Sequence, residues 1–422
     1  MLSDVATLDS KNTNAIPHDR IDKSHKRVLI IEDLGEMRLM LKSYMTSLGF
    51  NNIDVEPSGQ SAIKRILEKH YDVVLSDYNL GGSIDGQQIL ETSRKNHSQD
   101  HSTIFIMITA DTAYESVVNV LEYQPDSYLV KPFPPAAFFR RFERVQKQKE
   151  VFEGINAARK NKDFDGMELQ AKAIMQQSPN LASQCLKIIG ESLYAKGRYK
   201  DAKSHYMLIV QKNKKLAWAH YGIALCELKI GAITAAITKL EQTIDLSRHF
   251  LSAYDLLTDA HEELGNLNDA QLVMSKVLEV SPRSTDRAVR LAQISMQLND
   301  WGTAEQAYSR VIRLTRDTSY EKVEHYYEYL KCLTNLMSSG ADNSKYADKF
   351  KRALIRLRSF GKTNPSALSN SFRIEIQQYL TRDHTGEAIK SWKQWNRLIK
   401  SGQASALSNA QKHTLKKRLG LL

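Results

Sequence analysis

Two rhythms of apolar and polar residues divide this chain. Between residues 26 and 148, short apolar runs alternate with amphipathic stretches, whereas from about 149 onward apolar residues recur only at helical spacing. The runs Arg27 to Ile31, Ile53 to Glu56, Val73 to Ser76, Ile104 to Ile108 and Ser127 to Val130 read as strands buried on both faces, as in a parallel sheet. Helical patterns lie between them. Glu36 to Leu48 ends at Gly49, Ser58 caps a helix to about His70, and Asp85-Gly86 opens another to Lys95. The order is β/α repeated five times, which predicts an α/β, flavodoxin-like five-stranded parallel sheet wrapped by helices. A last helix from Pro135, carrying Phe138, Phe139 and Phe142, is expected to run with little or no break into the second half.

Such sheets place chemistry beyond the carboxyl ends of their strands. The first strand runs into Glu32-Asp33, the third ends on Asp77, the fourth on Thr109-Ala110 and the fifth on Lys131-Pro132. Side by side, these strands bring three carboxylates, a hydroxyl and an ammonium to one edge. Carboxylates crowded together raise one another's pKa values, so a hard cation such as Mg2+ is the natural guest. The set suits phosphoryl transfer, with Asp77 the best candidate for the nucleophile.

Glu32-Asp33, Asp77, Thr109-Ala110 and Tyr128 three residues before Lys131-Pro132 follow one another as in the receiver domain of bacterial two-component response regulators, which residues 26–148 resemble. The resemblance implies that Asp77 accepts phosphate from a histidine kinase or phosphotransfer protein. It further implies that Asp33, Asp77 and the backbone carbonyl of Asn79 ligate Mg2+, with Glu32 acting largely through water. Lys131 pairs with the phosphoryl group, Thr109 moves to hydrogen-bond it, and Tyr128 turns inward into the space Thr109 leaves. In that family the Lys131-Pro132 bond is cis, and receivers signal through the face of the fourth helix, fifth strand and fifth helix, where a homodimer could form. The sequence departs from the pattern twice. Gly81-Gly82-Ser83 replaces the proline usual after Asp77-Tyr78-Asn79-Leu80, which is expected to loosen that loop, and Gln124-Pro125 replaces a usual Gly-Ala.

In the second half an internal repeat dominates. Gly197, Gly231 and Gly265 are spaced by 34, with Asn299 in the next place; Ala202, Ala236, Ala270 and Ala304 keep the same step, as do Tyr206, Leu240, Met274 and Tyr308. The Gly/Asn column serves a turn between two antiparallel helices, and the alanines let those helices approach. This pattern resembles the tetratricopeptide repeat (TPR), with about five units over 149–316. An early one, about 150 to 180, runs one residue out of step. Degenerate helical repeats and basic capping helices are expected over 317–422, after a disordered leader over 1–25. By resemblance the first helix of each unit lines an inner groove for a protein partner. Candidate groove residues are Trp218, Tyr221 and Leu225 in one unit and the acidic Asp255, Asp259 and Glu262 in the next.

Composition adds three points. No apolar stretch suits a secretory signal or a bilayer span, so the chain is expected in the cytoplasm with no membrane contact. Cys185, Cys226 and Cys332 fit no metal spacing and read as reduced core thiols, and His205, His220, His249, His261 and His325 show no ligand clustering. The net charge is +11, and residues 381–422 hold nine Lys or Arg against Asp383 and Glu387. That local excess keeps open a regulator that binds nucleic acid through its basic C-terminal region, where Trp392 and Trp395 lie among cations and could stack on bases. No enzyme's residue set occurs in the helical half, so the expected output is protein contact rather than catalysis.

Overall fold

The computed structural model describes residues 23–82, 84–95, 102–110, 125–318, 320–338 and 343–422. The leader expected over 1–25 falls almost wholly outside them, as do Ser83, Gln124 and the fourth-helix part of the expected signalling face.

Five strands form one parallel sheet in the order β2-β1-β3-β4-β5: β1 (Arg27–Ile31), β2 (Asn52–Glu56), β3 (Val73–Asp77), β4 (Ile104–Thr109) and β5 (Ser127–Val130). This is the doubly wound order expected from the β/α alternation. Central β3 and β4 are buried end to end, which explains why they read as continuous apolar runs rather than alternating ones. Helices Gly35–Ser47 and Pro135–Val151 cover one face with Leu41, Met45, Phe138 and Phe142. Helices Gly59–Glu68 and Gly86–Lys95 cover the other with Ala62, Ile63, Ile66, Ile89 and Leu90. Ser58 caps the first of these by accepting from the Ser61 amide, as its sequence position suggests.

Helix Pro135–Val151 leads into the repeats with a single interruption, Phe152 at φ −95°, ψ 5°, before helix Glu153–Lys160 begins. Antiparallel helix pairs follow. The four regular units have first helices Ala182–Ala195, Ala217–Ile230, Leu251–Glu263 and Thr285–Gln297, and second helices Tyr199–Lys212, Ile233–Leu246, Leu267–Val280 and Trp301–Thr315. Gly197, Gly231, Gly265 and Asn299 all have φ between 57° and 82°. The turn column is therefore a left-handed column, which glycine occupies without strain and asparagine tolerates. Lys162, at φ 56°, takes the same place in the early out-of-step unit. Ala202, Ala236, Ala270 and Ala304 are fully buried, as close helix approach requires. Beyond residue 317 the helices Val323–Ser338, Asn343–Ser359, Pro365–Thr381, Thr385–Lys400 and Asn409–Arg418 continue the stack without the period. One apolar core runs unbroken from Ala224 to Ile374.

Candidate phosphoacceptor site

The acidic and basic residues at the strand ends converge. Lys131 Nζ lies 2.8 Å from Glu32 Oε2 and 3.0 Å from Asp77 Oδ2, and Glu32, Asp33 and Asp77 each offer an oxygen within 4.8 Å of the others. The sheet register produces this. Tyr78 N donates to the Ile108 carbonyl at 2.7 Å, and Lys131 N to that of Thr109 at 2.7 Å, so three strands end level. Glu32 is fully buried, Asp77 is 6% exposed and Asp33 lies at the surface. The nucleophile candidate is thus reachable from solvent past Asp33.

Burial pushes the Glu32 carboxyl above its usual range, with the Lys131 hydrogen bond only partly opposing it and nearby Asp77 adding to the rise. Burial by itself would lower the Lys131 ammonium, but its bonds to Glu32 and Asp77 outweigh that and raise it. Three carboxylates facing one ammonium remain underneutralised. Their hard oxygen donors and spacing fit a divalent cation such as Mg2+, which would be held by Asp33 and Asp77 with Glu32 behind them. Among the described residues no other cluster of three metal-binding side chains occurs, the histidines included.

Asn79 follows two residues after Asp77, and its amide donates weakly to Asp77 Oδ1 at 3.4 Å. Thr109 is 2% exposed at the end of β4, and Tyr128 is 5% exposed. Tyr128 already packs inward, in the apolar cluster that holds Met107, Ile89 and Leu90. The Lys131-Pro132 peptide is cis. Gly81 corrects the expectation of a merely looser loop. It sits at φ +64°, where proline's ring cannot go, and a Cβ there would lie 3.2 Å from Asp33 Oδ2. The glycine fits a left-handed turn pressed against the acidic cluster.

Two contributors escaped sequence reasoning. Arg38 Nη1 donates to the carbonyls of Glu32 at 2.7 Å and Asp33 at 2.8 Å, pinning the end of β1; its place one turn into the helix after Glu32-Asp33 was the available signal. Gly86 packs against the Asp77 backbone so closely that a Cβ would meet the Asp77 carbonyl oxygen at 2.4 Å.

The candidate groove residues fare differently. Trp218 and Tyr221 are half-buried, stacking edge-on to Tyr206 and tilted against Phe250. Asp255 is paired with Arg287, and Asp259 and Glu262 with Arg290, all across one repeat interface. The expected acidic face for a basic partner is therefore neutralised within the chain. Trp392 and Trp395 are 4% and 0% exposed, the latter stacked on Phe372 and donating to Ser369 Oγ. Neither can stack on a base.

Known proteins resemble parts of this chain. Residues 28–143 match the family model described as "Response regulator receiver domain". Chemotaxis protein CheY-3 of Vibrio cholerae is 27% identical over 127 residues, 30% of this chain and 96% of that protein. A tetratricopeptide repeat protein from Parabacteroides merdae superposes with a TM-score of 0.34 at 16% identity, covering 65% of this chain and 98% of that one. The receiver domain of a sensor histidine kinase from Pseudomonas aeruginosa, solved with magnesium coordinated in its active site cleft, covers 29% of this chain and 98% of its own at 24% identity and a TM-score of 0.25. Residues 28–143 form a response regulator receiver domain. A TPR-like helical array follows it. Among the described residues no helix is long and apolar enough to cross a membrane.

Proposed function

We propose that this chain is a phosphorelay response regulator that takes phosphate on Asp77 and signals through protein contacts of its repeats. The observation that carries the reading is Lys131 poised between Asp77 and Glu32 at the mouth of an acidic cluster. In the transfer, an Asp77 carboxylate oxygen attacks phosphorus, the bond from phosphorus to the donor imidazole nitrogen breaks, and that nitrogen takes up a proton. Bound Mg2+ supplies charge neutralisation for the phosphoryl oxygens. Lys131 pairs with one phosphoryl oxygen once Asp77 is phosphorylated, and the Thr109 hydroxyl closes on another. The helical half binds partners and carries out no catalysis of its own. With Mg2+ and acetyl phosphate, Asp77 should be the one residue phosphorylated, and Asp77→Asn should abolish incorporation without loss of fold. Phosphate recovered elsewhere in that variant, or incorporation without divalent metal, would count against the assignment.

A second reading, nucleic-acid binding by the C-terminal region, draws support from exposed cations. Lys393, Arg397, Lys417 and Arg418 are exposed and make no ion pair among the described residues. With both tryptophans buried, only phosphate contacts are left to carry it, and those predict a steep fall in affinity with salt. A salt-independent interaction, or none, returns the output to protein contact.

A further inference from the structure

The helix that starts at Gly86 presents two faces. Ile89 and Leu90 are fully buried in the receiver core, while Gln88 and Glu91, three residues apart and so on one side, meet the repeats. Gln88 Oε1 accepts from the Asp85 amide at 3.1 Å, which turns its Nε2 outward to donate to the Arg283 carbonyl at 3.0 Å. Glu91 Oε1 accepts from Arg287 Nη2 at 2.8 Å. Arg287 also holds Asp255 bidentately, Nε to Oδ1 at 2.9 Å and Nη2 to Oδ2 at 2.7 Å.

The Arg287 side chain is only 5% exposed. A guanidinium this buried must be fully paired, and here one of its two carboxylates comes from the receiver. A second contact is apolar: Tyr320, just past the last regular repeat, packs against the receiver's cluster. Arg287 and Asp255 lie on consecutive first helices of the array, the helices expected to line its inner groove. The Gln88 and Glu91 contacts fall on the helix that follows the Asp77 loop.

We infer that the Arg283 to Arg290 face of the repeats is a receptor for a helix that presents a carboxylate, and that the receiver's own helix Gly86–Lys95 is its resident ligand, released when Asp77 is phosphorylated. The last clause rests on the function proposed above; the receptor itself does not. A partner suited to this face presents a helix with a carboxylate at the Glu91 place and an amide three residues before it. Such a partner competes with the receiver, so the surface is available only in the released chain. Gly86 makes release a direct consequence of change at the acceptor. Its amide donates to the Tyr78 carbonyl at 2.9 Å, and its Cα abuts the Asp77 peptide, so the helix cannot keep its place if that peptide moves.

The test uses the full chain, with hydrogen exchange at residues 283–290 and a labelled peptide of residues 84–96 as probe. Glu91→Arg sets a cation against Arg287 and should speed exchange there about tenfold or more and let the peptide bind, while wild type excludes it. Glu91→Gln, which keeps the shape and removes the charge, should move both readouts the same way by less. Unchanged exchange in both variants, or peptide bound equally by wild type and variants, overturns the receptor. Beryllofluoride with Mg2+ then separates the two proposals. Uptake with faster exchange at 283–290 supports release, and uptake with unchanged exchange overturns it. No uptake overturns the Asp77 reading and the release that rests on it, and the Glu91 variants still decide the receptor.

Discussion

Replacing Gly86 by alanine tests whether the acceptor strand is held from behind by the helix it feeds. The added Cβ would lie 2.4 Å from the Asp77 carbonyl oxygen, 2.7 Å from Met107 Sδ and 3.0 Å from Tyr78 Cα, against the 3.4 Å at which ordinary contact begins. Met107 can swing its thioether aside. The carbonyl cannot, because Asp77 is in register with Ile108 on β4 and the next amide is bonded to Ile108 at 2.7 Å. Strand end and helix start must part by about 1 Å, the difference between 3.4 and 2.4 Å. Overpacking of this kind costs about 1–3 kcal/mol, and alanine's helical advantage over glycine returns at most about 1 kcal/mol. We expect a net loss of about 1–2 kcal/mol in urea denaturation. Misplacing a reacting group by this distance costs up to about a hundredfold in rate, so phosphorylation by acetyl phosphate should slow about tenfold or more. Gly82→Ala is the control, since its Cβ would meet only the Leu80 carbonyl at 3.8 Å. If Gly86→Ala unfolds with wild type and is phosphorylated at the wild-type rate, the close approach is not a constraint and the reasoning fails.

Three further outcomes are expected. Lys131→Met leaves buried Glu32 and Asp77 facing each other and should cost about 3–5 kcal/mol in EDTA; Mg2+ should recover part of it in urea melts, and no recovery would speak against the cluster as a cation site. Glu321 is held down to about 2, first by its hydrogen bond to Arg356 and against the effect of burial, from an ordinary 4.5. Its folded value being the lower one, the stabilisation is complete above about 4.5 and is lost as pH falls toward 2. With Arg356 partly solvated the effect is on the order of 1–2 kcal/mol. Wild type should therefore lose more stability between pH 6 and pH 3 than Glu321→Gln, and parallel curves would refute the pairing. Burial pushes the Cys226 thiol up to about 11 and Cys332 to about 12. Native protein at pH 8 should react with a thiol reagent far more slowly than urea-unfolded protein, and equal rates would contradict their burial.

Much of this molecule was legible because its constraints are local or periodic. The strands announce themselves as β-rich apolar runs, and the acidic and basic residues at their ends are brought together by parallel order alone. The left-handed turns of the array recur at one spacing because each unit faces the same steric problem, and even the out-of-step unit keeps it by placing Lys162 at φ 56°. What stayed hidden depends on partners far apart in sequence. Asp255, Asp259 and Glu262 looked like an open acidic face because their arginines stand a repeat later; the pair Arg287 and Arg290, three residues apart on the next first helix, was the missed sign. Trp392 and Trp395 among lysines suited stacking on bases until the fold turned both inward. The Glu91 to Arg287 bond, 196 residues apart in sequence, has no local signature at all.

Among the described residues the two halves are joined both covalently and by side-chain packing, and these junctions differ in stiffness. The covalent one passes through helix Pro135–Val151 and breaks at Phe152, where the backbone leaves helical geometry before the next helix starts. A rotation of that helix can be absorbed at a single residue. The non-covalent junction has no such give. Tyr128, Met107, Ile89, Leu90, Tyr78, Ile84 and Tyr320 share one apolar cluster that reaches from β5, beside Lys131, to the end of the last regular repeat. Close-packed interiors switch between discrete arrangements rather than deform smoothly. A change at Thr109 or Tyr128 must therefore either be refused by this cluster or carried across it to Tyr320. The buried guanidinium of Arg287 sharpens the choice, because half of its pairing is lost once helix Gly86–Lys95 moves out of bonding range. On the proposed function, the direction of signalling follows from where the stiffness lies: along the packed interface, with the covalent linker acting as a tether.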